Sequence, residues 1–341
     1  MSEILASPIT SLDTFRDLLT AYRLPRVILS ALELDLFTAL GKRARMVAPL
    51  AAELKVSERG LEILCRNLAM CGLLTKKGPR YRNSPFAATA LNARDRAYRG
   101  AYLELLKSQW HDWSRLTEAV RTGSPLDHDE PEVPGYRRQF TWAMHHRSVD
   151  VAAAIAKKVN LGKAGRLLDL GGGPATYALA FLAEHPALRA TVCDRPEALE
   201  VAQEIARPLK AGARLSYLPL DFMRDPVPGQ YDVIWYSNVL HIYSAEENQA
   251  LFERLLSALK SGGRLIIQDA FLHDREGLYP EEASLFAVTM LLFTERGNTY
   301  SLDATSAWLR RAGYVNVKPV RMKKGTEDWD GGLLQAQRPR S

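Results

Sequence analysis

Apolar side chains recur every three or four positions through residues 25–40, at Val27, Ile28, Ala31, Leu32, Leu34, Leu36, Phe37 and Leu40. That spacing predicts one amphipathic helix, which Gly41 ends. A second apolar stretch follows at 46–54, and a third at 58–70 with Ser57 placed to cap it. Cys71 and Gly72 close that helix, and Lys76-Lys77-Gly78-Pro79-Arg80-Tyr81 reads as a tight hairpin turn. Three helices and a hairpin describe a winged-helix-like unit over residues 1–100. Two further long helices are expected at 102–120 and 138–159, within a helical connector spanning 101–160. Breaks fall at Gly123-Ser124-Pro125 and at 131–135.

From residue 161 the texture changes. Short apolar runs at 166–170, 189–193, 214–218, 232–236 and 264–268 predict strands, separated by helical stretches at 175–184, 196–207 and 246–260. Such alternation implies a parallel sheet covered on both faces. The last two runs, 315–320 and 332–337, leave no room for a useful helix between them and suit an antiparallel pair at one edge. The expected fold is α/β, a Rossmann-like seven-stranded domain over 161–341 behind a mostly helical N-terminal domain.

Composition narrows the function classes. At 341 residues the chain is long for one core and sufficient for two, and its 47% hydrophobic and 25% charged residues are the balance of a folded globular protein. The net charge of +6 is spread along the chain. Its densest clusters, Lys76-Lys77 and the group Arg321, Lys323 and Lys324, are short enough to be ordinary solvated surface. A winged helix can read DNA through its third helix. Here that helix offers Arg59, Arg66 and Asn67 among Leu61, Ile63, Leu64, Leu68 and Met70, a load that suits packing, as in dimerisation, better than groove reading. Cys65, Cys71 and Cys193 have neither zinc nor disulfide spacing, so reduced thiols are expected. The start lacks a signal-peptide pattern and no apolar run approaches ~18 residues, which together lead to the expectation of a cytoplasmic protein. The neighbours His145 and His146 point to different helix faces, and no metal is expected.

The segment Leu167-Leu168-Asp169-Leu170-Gly171-Gly172-Gly173-Pro174-Ala175-Thr176 carries a strand into glycines and then into a helix, at the first turn of the sheet. Open α/β sheets bind nucleotides there, and glycine admits close backbone approach. A dinucleotide fingerprint wants a third glycine where Thr176 stands. S-adenosylmethionine (SAM) has no pyrophosphate and needs no phosphate cradle, so Asp169, Gly171 and Gly173 favour SAM over NAD. Asp194, ending the second strand, is placed to accept from both ribose hydroxyls, or alternatively to cap the following helix. Asp221 and Phe222, after the third strand, offer a carboxylate near an adenine amino group and a ring beside the base, though a surface turn would also use them. Ser237, after the fourth strand, lines the cofactor cleft or serves as a plain loop serine.

On these residues the chain resembles the SAM-dependent O-methyltransferases typified by plant caffeic acid O-methyltransferase and by bacterial enzymes of polyketide and pigment pathways. The resemblance runs nearly end to end. It covers the winged-helix-like start, Phe140-x-x-Ala143-Met144-x-x-x-Ser148, the glycine segment, Asn238-Val239-Leu240-His241 and Gly262-Gly263-Arg264-Leu265-Ile266-Ile267-Gln268-Asp269. It implies a SAM-binding domain, a homodimer through the N-terminal domain with part of that domain closing the partner's pocket, and a small aromatic acceptor. It also implies that Phe140 and Met144 touch that acceptor and that Ser148 lies near the SAM carboxylate.

His241, just beyond the fourth strand, is the candidate base. A phenol with pKa near ~10 is ionised in only about one molecule in a thousand at pH 7, so a neutral imidazole that removes the proton matters. Asp269, ending the adjacent fifth strand, would fix the tautomer, with its short side chain expected to loosen the contact. The family often has a second acid where Thr299 stands here, with Glu295 nearby as a substitute only if the loop is reshaped. That departure keeps open methylation at carbon, or SAM-assisted chemistry without methyl transfer, and a SAM-sensing winged-helix regulator is a third reading. The expected acceptor wall comprises Phe140, Trp142, Met144, Phe286 and Met290, with Phe293 on the same helical face as the last two, a face that core packing also explains. Trp110 and Trp113 are expected to pack between the domains.

Overall fold

The computed structural model describes residues 9–126, 135–209, 212–320 and 332–340. The basic group at Arg321, Lys323 and Lys324 lies outside the described residues, as does most of the break at 131–135. The chain divides into two compact units, Met1–Ser108 and Gln109–Ser341. This boundary falls inside the segment 101–160 expected to act as a connector.

In the first unit, α1 (Leu12–Thr20) starts from a capping box between Ser11 and Thr14. The single helix expected over 25–40 is two, α2 (Arg23–Glu33) and α3 (Leu36–Leu40). Between them Asp35 takes φ +52°, a left-handed conformation that no helix interior accommodates. The break turns Leu36, Phe37 and Leu40 together into the core, each 2% exposed or less. β1 (Arg45–Met46), α4 (Val47–Leu54), α5 (Glu58–Met70), β2 (Leu74–Lys77), β3 (Arg80–Asn83) and α6 (Pro85–Ala90) follow, the strands in order β1-β3-β2. The Ser57 hydroxyl accepts from Gly60 N at 3.3 Å, so α5 begins where the sequence places its cap. That helix buries Leu61, Cys65 and Leu68, and leaves Arg59, Arg66 and Met70 exposed. The helix expected over 102–120 is also two, α7 (Gly100–Ser114) and α8 (Leu116–Thr122). Arg115 leaves helical geometry at φ −99° and ψ 9°, and α8 then buries Ala119 against Leu126 and Leu292.

The second unit takes in the end of α7, then α8 and α9 (Tyr136–Lys158), and continues through β4 (Arg166–Leu170), α10 (Thr176–Glu184), β5 (Arg189–Asp194), α11 (Pro196–Ala206), β6 (Leu215–Pro219) and β7 (Tyr231–Ser237). It ends with α12 (Ala245–Ala258), β8 (Leu259–Gln268), α13 (Glu281–Phe293), α14 (Leu302–Arg311), β9 (Val315–Pro319) and β10 (Leu333–Gln337). The sheet has seven strands in the order β6-β5-β4-β7-β8-β10-β9. β10 runs antiparallel to both neighbours, β8 and β9, and supplies the expected edge pair. Alternate residues of the strands feed two cores. Leu167, Val192, Val233, Trp235 and Ile266 join α9, α10 and α11 on one face. Leu168, Leu170, Ile234, Tyr236 and Ile267 join α12 and α14 on the other.

Chain order along the sheet reverses at β4, which pairs with β5 on one side and β7 on the other. Loops leaving the carboxyl ends of β4 and β7 therefore lead to helices on opposite faces of the sheet, the place where doubly wound sheets take ligands.

Phe181 of α10 is fully buried and meets Trp235 of β7 edge-on, with ring centroids 5.0 Å apart. Phe181→Ala should lower the unfolding free energy by about 3–5 kcal/mol in urea titrations. Phe86→Ala, at a side chain 60% exposed, should change it by less than about 0.5 kcal/mol.

Candidate active site

At the end of β4 the chain turns through glycines held from two sides. Gly171 (φ +67°) and Gly172 donate to Cys193 O at 2.8 and 3.3 Å, and Gly173 (φ +46°) donates to Asp194 Oδ2 at 2.7 Å. A Cβ on Gly171 would stand 2.7 Å from Val239 Cγ2, and one on Gly172 would stand 2.6 Å from Asp169 Cγ. Side chains are excluded at both positions by contact, as well as by the positive φ at Gly171. Asp169 is 1% exposed and its Oδ2 accepts from Ala178 N at 3.1 Å. Its carboxyl thus braces the turn against α10 from below, a supporting place distinct from the ligand contact expected of it. Burial, reinforced by the nearby Asp194 carboxylate, raises its pKa to about 7 against the pull of that single N–H bond.

Asp194 ends β5 with both oxygens engaged, Oδ1 by Arg195 N and Oδ2 by Gly173 N, each at 2.7 Å. Burial raises its pKa and the two N–H groups oppose the shift. It is not the cap of α11, whose N-cap is Arg195. Asp221 is exposed and accepts from Met223 N at 3.1 Å, so its carboxylate shapes a turn. The turn points Phe222 inward, where the ring tip lies 3.5 Å from the Cβ position of Gly171. Arg254 of α12 holds this loop from behind, donating to Phe222 O at 3.1 Å and Met223 O at 2.7 Å. Nothing in the spacing of the sequence singles out Arg254.

Beyond β7, Ser237 donates to Gln268 Oε1 at 3.1 Å and accepts from Asn238 Nδ2 at 3.0 Å, so its hydroxyl is committed to the protein. Asn238 turns the chain at φ +56°, Val239 packs on Gly171, and a single 3-10 turn, Leu240–Ile242, carries His241. The imidazole is 7% exposed. Its Nδ1 lies 2.7 Å from Asp269 Oδ1, which also accepts from Ala270 N at 2.8 Å. The short aspartate makes this contact without loosening it. Asp269 Oδ2 is buried and, among the described residues, lacks a hydrogen-bond partner.

The ring of Phe286 meets the His241 imidazole edge-on at 4.8 Å. Thr299 is buried, and its neighbour Asn298 donates to His241 O at 2.9 Å. Glu295 is exposed, and Asp269 is the carboxylate bonded to the imidazole among the described residues.

The expected acceptor wall divides. Phe140, Met144 and Ser148 stand four apart on one stripe of α9. Phe140 is 41% exposed and stacks on Tyr136, Met144 is half-buried, and Ser148 is buried. Trp142 departs from that stripe. Two positions along a helix is about 200° around it, and the indole packs into the core between α9, α10 and α11, against His145 and His146 at 5.9 Å each. Its assignment to the wall is corrected to core packing. His145 instead reaches the start of α10, with Nδ1 2.9 Å from Thr176 Oγ1. Phe286 reaches His241, Met290 is buried, and Phe293 packs with Trp113 and Leu116 against the Ala119–Leu126–Leu292 cluster.

These residues suit an adenosine-bearing sulfonium. Half-buried Asp194 offers acceptor capacity beside the glycine turn, and Phe222 offers an apolar face. The stretch from Gly171 to Thr176 carries no cation, and Pro174 removes one of the N–H groups that a pyrophosphate would use.

An O-methyltransferase domain model matches residues 113–315, and an O-methyltransferase dimerisation domain model matches residues 16–93. Over 312 residues the chain is 30% identical to a 3-hydroxy-5-methyl-1-naphthoate 3-O-methyltransferase of Streptomyces sahachiroi, with 89% of this chain and 90% of the relative covered. It is 31% identical over 307 residues to a tetracenomycin polyketide synthesis 8-O-methyl transferase of Streptomyces glaucescens, with 86% and 88% covered. The solved structure of an O-methyltransferase family protein from Burkholderia thailandensis superposes with a TM-score of 0.85 at 26% identity, covering 98% of this chain and all of that one.

The state of Asp169 has a pH consequence. Its pKa is about 7 in the fold against the usual 3.8, so between those values the native state retains a proton that the unfolded chain has released. Stability should therefore fall as pH rises through that window and level off above it. Asp169→Asn, which keeps the shape without the charge, should flatten this part of the pH–stability curve. A curve parallel to the wild type from pH 4 to 7 contradicts the assignment.

Proposed function

The chain belongs to the SAM-dependent O-methyltransferase family, and we propose that it methylates a hydroxyl of a small aromatic acceptor with His241 as the general base. The observation that carries this reading is the 2.7 Å contact between His241 Nδ1 and Asp269 Oδ1. A carboxylate can only accept, so in the neutral imidazole the ring hydrogen sits on Nδ1 and Nε2 keeps a lone pair. Among the described residues Nε2 has no hydrogen-bond partner, and the imidazole shares its surroundings with Phe286 and, through Val239, with the glycine turn.

When bound, SAM supplies a methyl group already activated on a sulfonium sulfur. Asp194 would hold the ribose hydroxyls, Phe222 would lie beside the adenine, and Ser148 would approach the carboxylate end. The task left to the chain is to hold an acceptor oxygen in line and remove its proton. His241 Nε2 would take that proton as the oxygen lone pair bonds to the methyl carbon, whose bond to sulfur would break with its electron pair going to sulfur to leave the neutral thioether S-adenosylhomocysteine. Asp269 then stabilises the imidazolium, the more strongly because both groups are buried. Phe140, Met144 and Phe286 would hold an aromatic ring, in keeping with the naphthoate and polyketide acceptors named for the two Streptomyces relatives. Thr299 leaves the imidazole one carboxylate, which favours methylation of an already activated aromatic carbon as the second reading. The position of the methyl in the product separates the two.

The first unit supports a homodimer. α1 buries none of its residues, yet Leu12, Phe15 and Leu19 form an apolar stripe with exposures of 79%, 45% and 58%. It lies where the dimerisation domain model begins.

Incubation with methyl-labelled SAM and a panel of phenols should give labelled methyl ethers. His241→Ala should lower kcat by about 10²- to 10⁴-fold with SAM affinity unchanged, and wild-type turnover by that variant overturns the base assignment. Light scattering should give twice the chain mass, and Phe15→Asp combined with Leu19→Asp should shift the protein toward monomer. A monomeric wild type contradicts the dimer.

A further inference from the structure

The His241 turn is short and has few bonds of its own. It spans residues 238–244 between β7 and α12, and its one 3-10 turn leaves several carbonyls to be satisfied from elsewhere. Asn248, in the first turns of α12, is fully buried and supplies them. Its Nδ2 donates to Leu240 O at 2.9 Å and Ser244 O at 2.9 Å, and reaches Tyr243 O at 3.2 Å. Its Oδ1 accepts the Tyr236 hydroxyl at 3.2 Å. Three carbonyls facing one end of the amide demand donors there, which fixes the orientation of the side chain. Tyr236 is itself fully buried, and burial pushes its phenol well above the ordinary value, so its hydroxyl stays a donor.

Helix capping does not account for Asn248. The start of α12 is already closed by a capping box, with Glu247 N donating to Ser244 Oγ at 3.2 Å and Ser244 N donating to Glu247 Oε2 at 2.8 Å. Asn248 reaches past that box, eight residues back, to the carbonyl of Leu240. That carbonyl belongs to the peptide unit leading into His241, so the bond sets where the His241 Cα stands. On the other side Asn298 N holds the His241 carbonyl at 2.9 Å. Gly297 lets that strand of loop come close, since a Cβ there would meet His241 O at 2.4 Å. Asp269 can hold the imidazole at 2.7 Å only while the backbone of the turn stays in place, because a shift of ~1 Å takes such a bond outside its working range.

We propose that Asn248 is a positioning residue for the base, a buried amide clasp that fixes the peptide before His241 and thereby keeps the imidazole on Asp269 and aimed at the acceptor. This rests on the reading of His241 as the base. Asn248 acts through His241, since its fully buried amide is engaged by protein groups.

The test combines kinetics with proton NMR on the full-length protein. The reporter is the downfield proton of His241 Nδ1, assigned by its absence in His241→Ala. Asn248→Ala should lower kcat by about 10- to 100-fold, the range that ~1 Å misplacement of a reacting group produces. SAM affinity should stay within about twofold by calorimetry, and the reporter proton should shift or broaden. Tyr236→Phe, which frees the amide without removing it, should do the same to a smaller degree and serves if Asn248→Ala fails to fold. A folded Asn248→Ala, or failing that Tyr236→Phe, with wild-type kcat and an unmoved proton overturns the proposal. The proton also separates the two claims. Should His241→Ala be fully active while Asn248→Ala displaces the His241 proton, the base reading fails and the clasp stands.

Discussion

Where β4 gives way to α10, the backbone of Gly171 lies so close to the Val239 side chain that an added methyl would stand 2.7 Å from Cγ2. Val239 is two residues from His241. The turn that would receive SAM and the turn that carries His241 are therefore in direct contact through the Val239 side chain. Close-packed protein does not deform gradually, so the separation of the glycine turn and the His241 turn is set by the sheet itself, through the parallel register of β4 with β7. Asp169 below the turn and Asp194 beside it hold the glycines against that contact, one through Ala178 N and the other through Gly173 N.

α12 supports the candidate site from behind at two places. Asn248 grips the His241 turn and, six residues on, Arg254 grips the loop that presents Phe222. A single rigid helix thus bears on the His241 turn and on the loop that carries Phe222. The buried charges follow the same economy of space. Asp169, Asp194 and Asp269 each end or nearly end a strand, the first and last buried and Asp194 half-buried, and each accepts backbone N–H bonds that offset part of its desolvation.

Much of this could be read along the chain because it rests on local spacing. The strands of the sheet, the Ser57 cap and the glycine turn follow from periodicity and turn chemistry. His241 and Asp269 could be paired because both stand at the ends of adjacent strands. Other features depend on contacts distant in sequence. Asp35 and Arg115 break helices whose apolar spacing runs on without interruption, since the better burial of Leu36, Phe37 and Ala119 outweighs the lost helical bonds. Trp142 resembles a wall residue by neighbourhood, and only the side of α9 that α11 covers decides otherwise. Asn248 and Arg254 are ordinary polar residues of an amphipathic helix, and their role exists only once α12 lies against two loops from other strands.

The central claim is that one contact, Gly171 on Val239, sets a SAM site and an imidazole base face to face. A crystal structure with S-adenosylhomocysteine tests it most directly. The account predicts ribose hydroxyls on the Asp194 carboxylate, adenine beside Phe222, and the sulfur on the side of the glycine turn that faces His241 Nε2. A nucleoside seated elsewhere, or a sulfur turned away from His241 with the Gly171–Val239 contact intact, contradicts it.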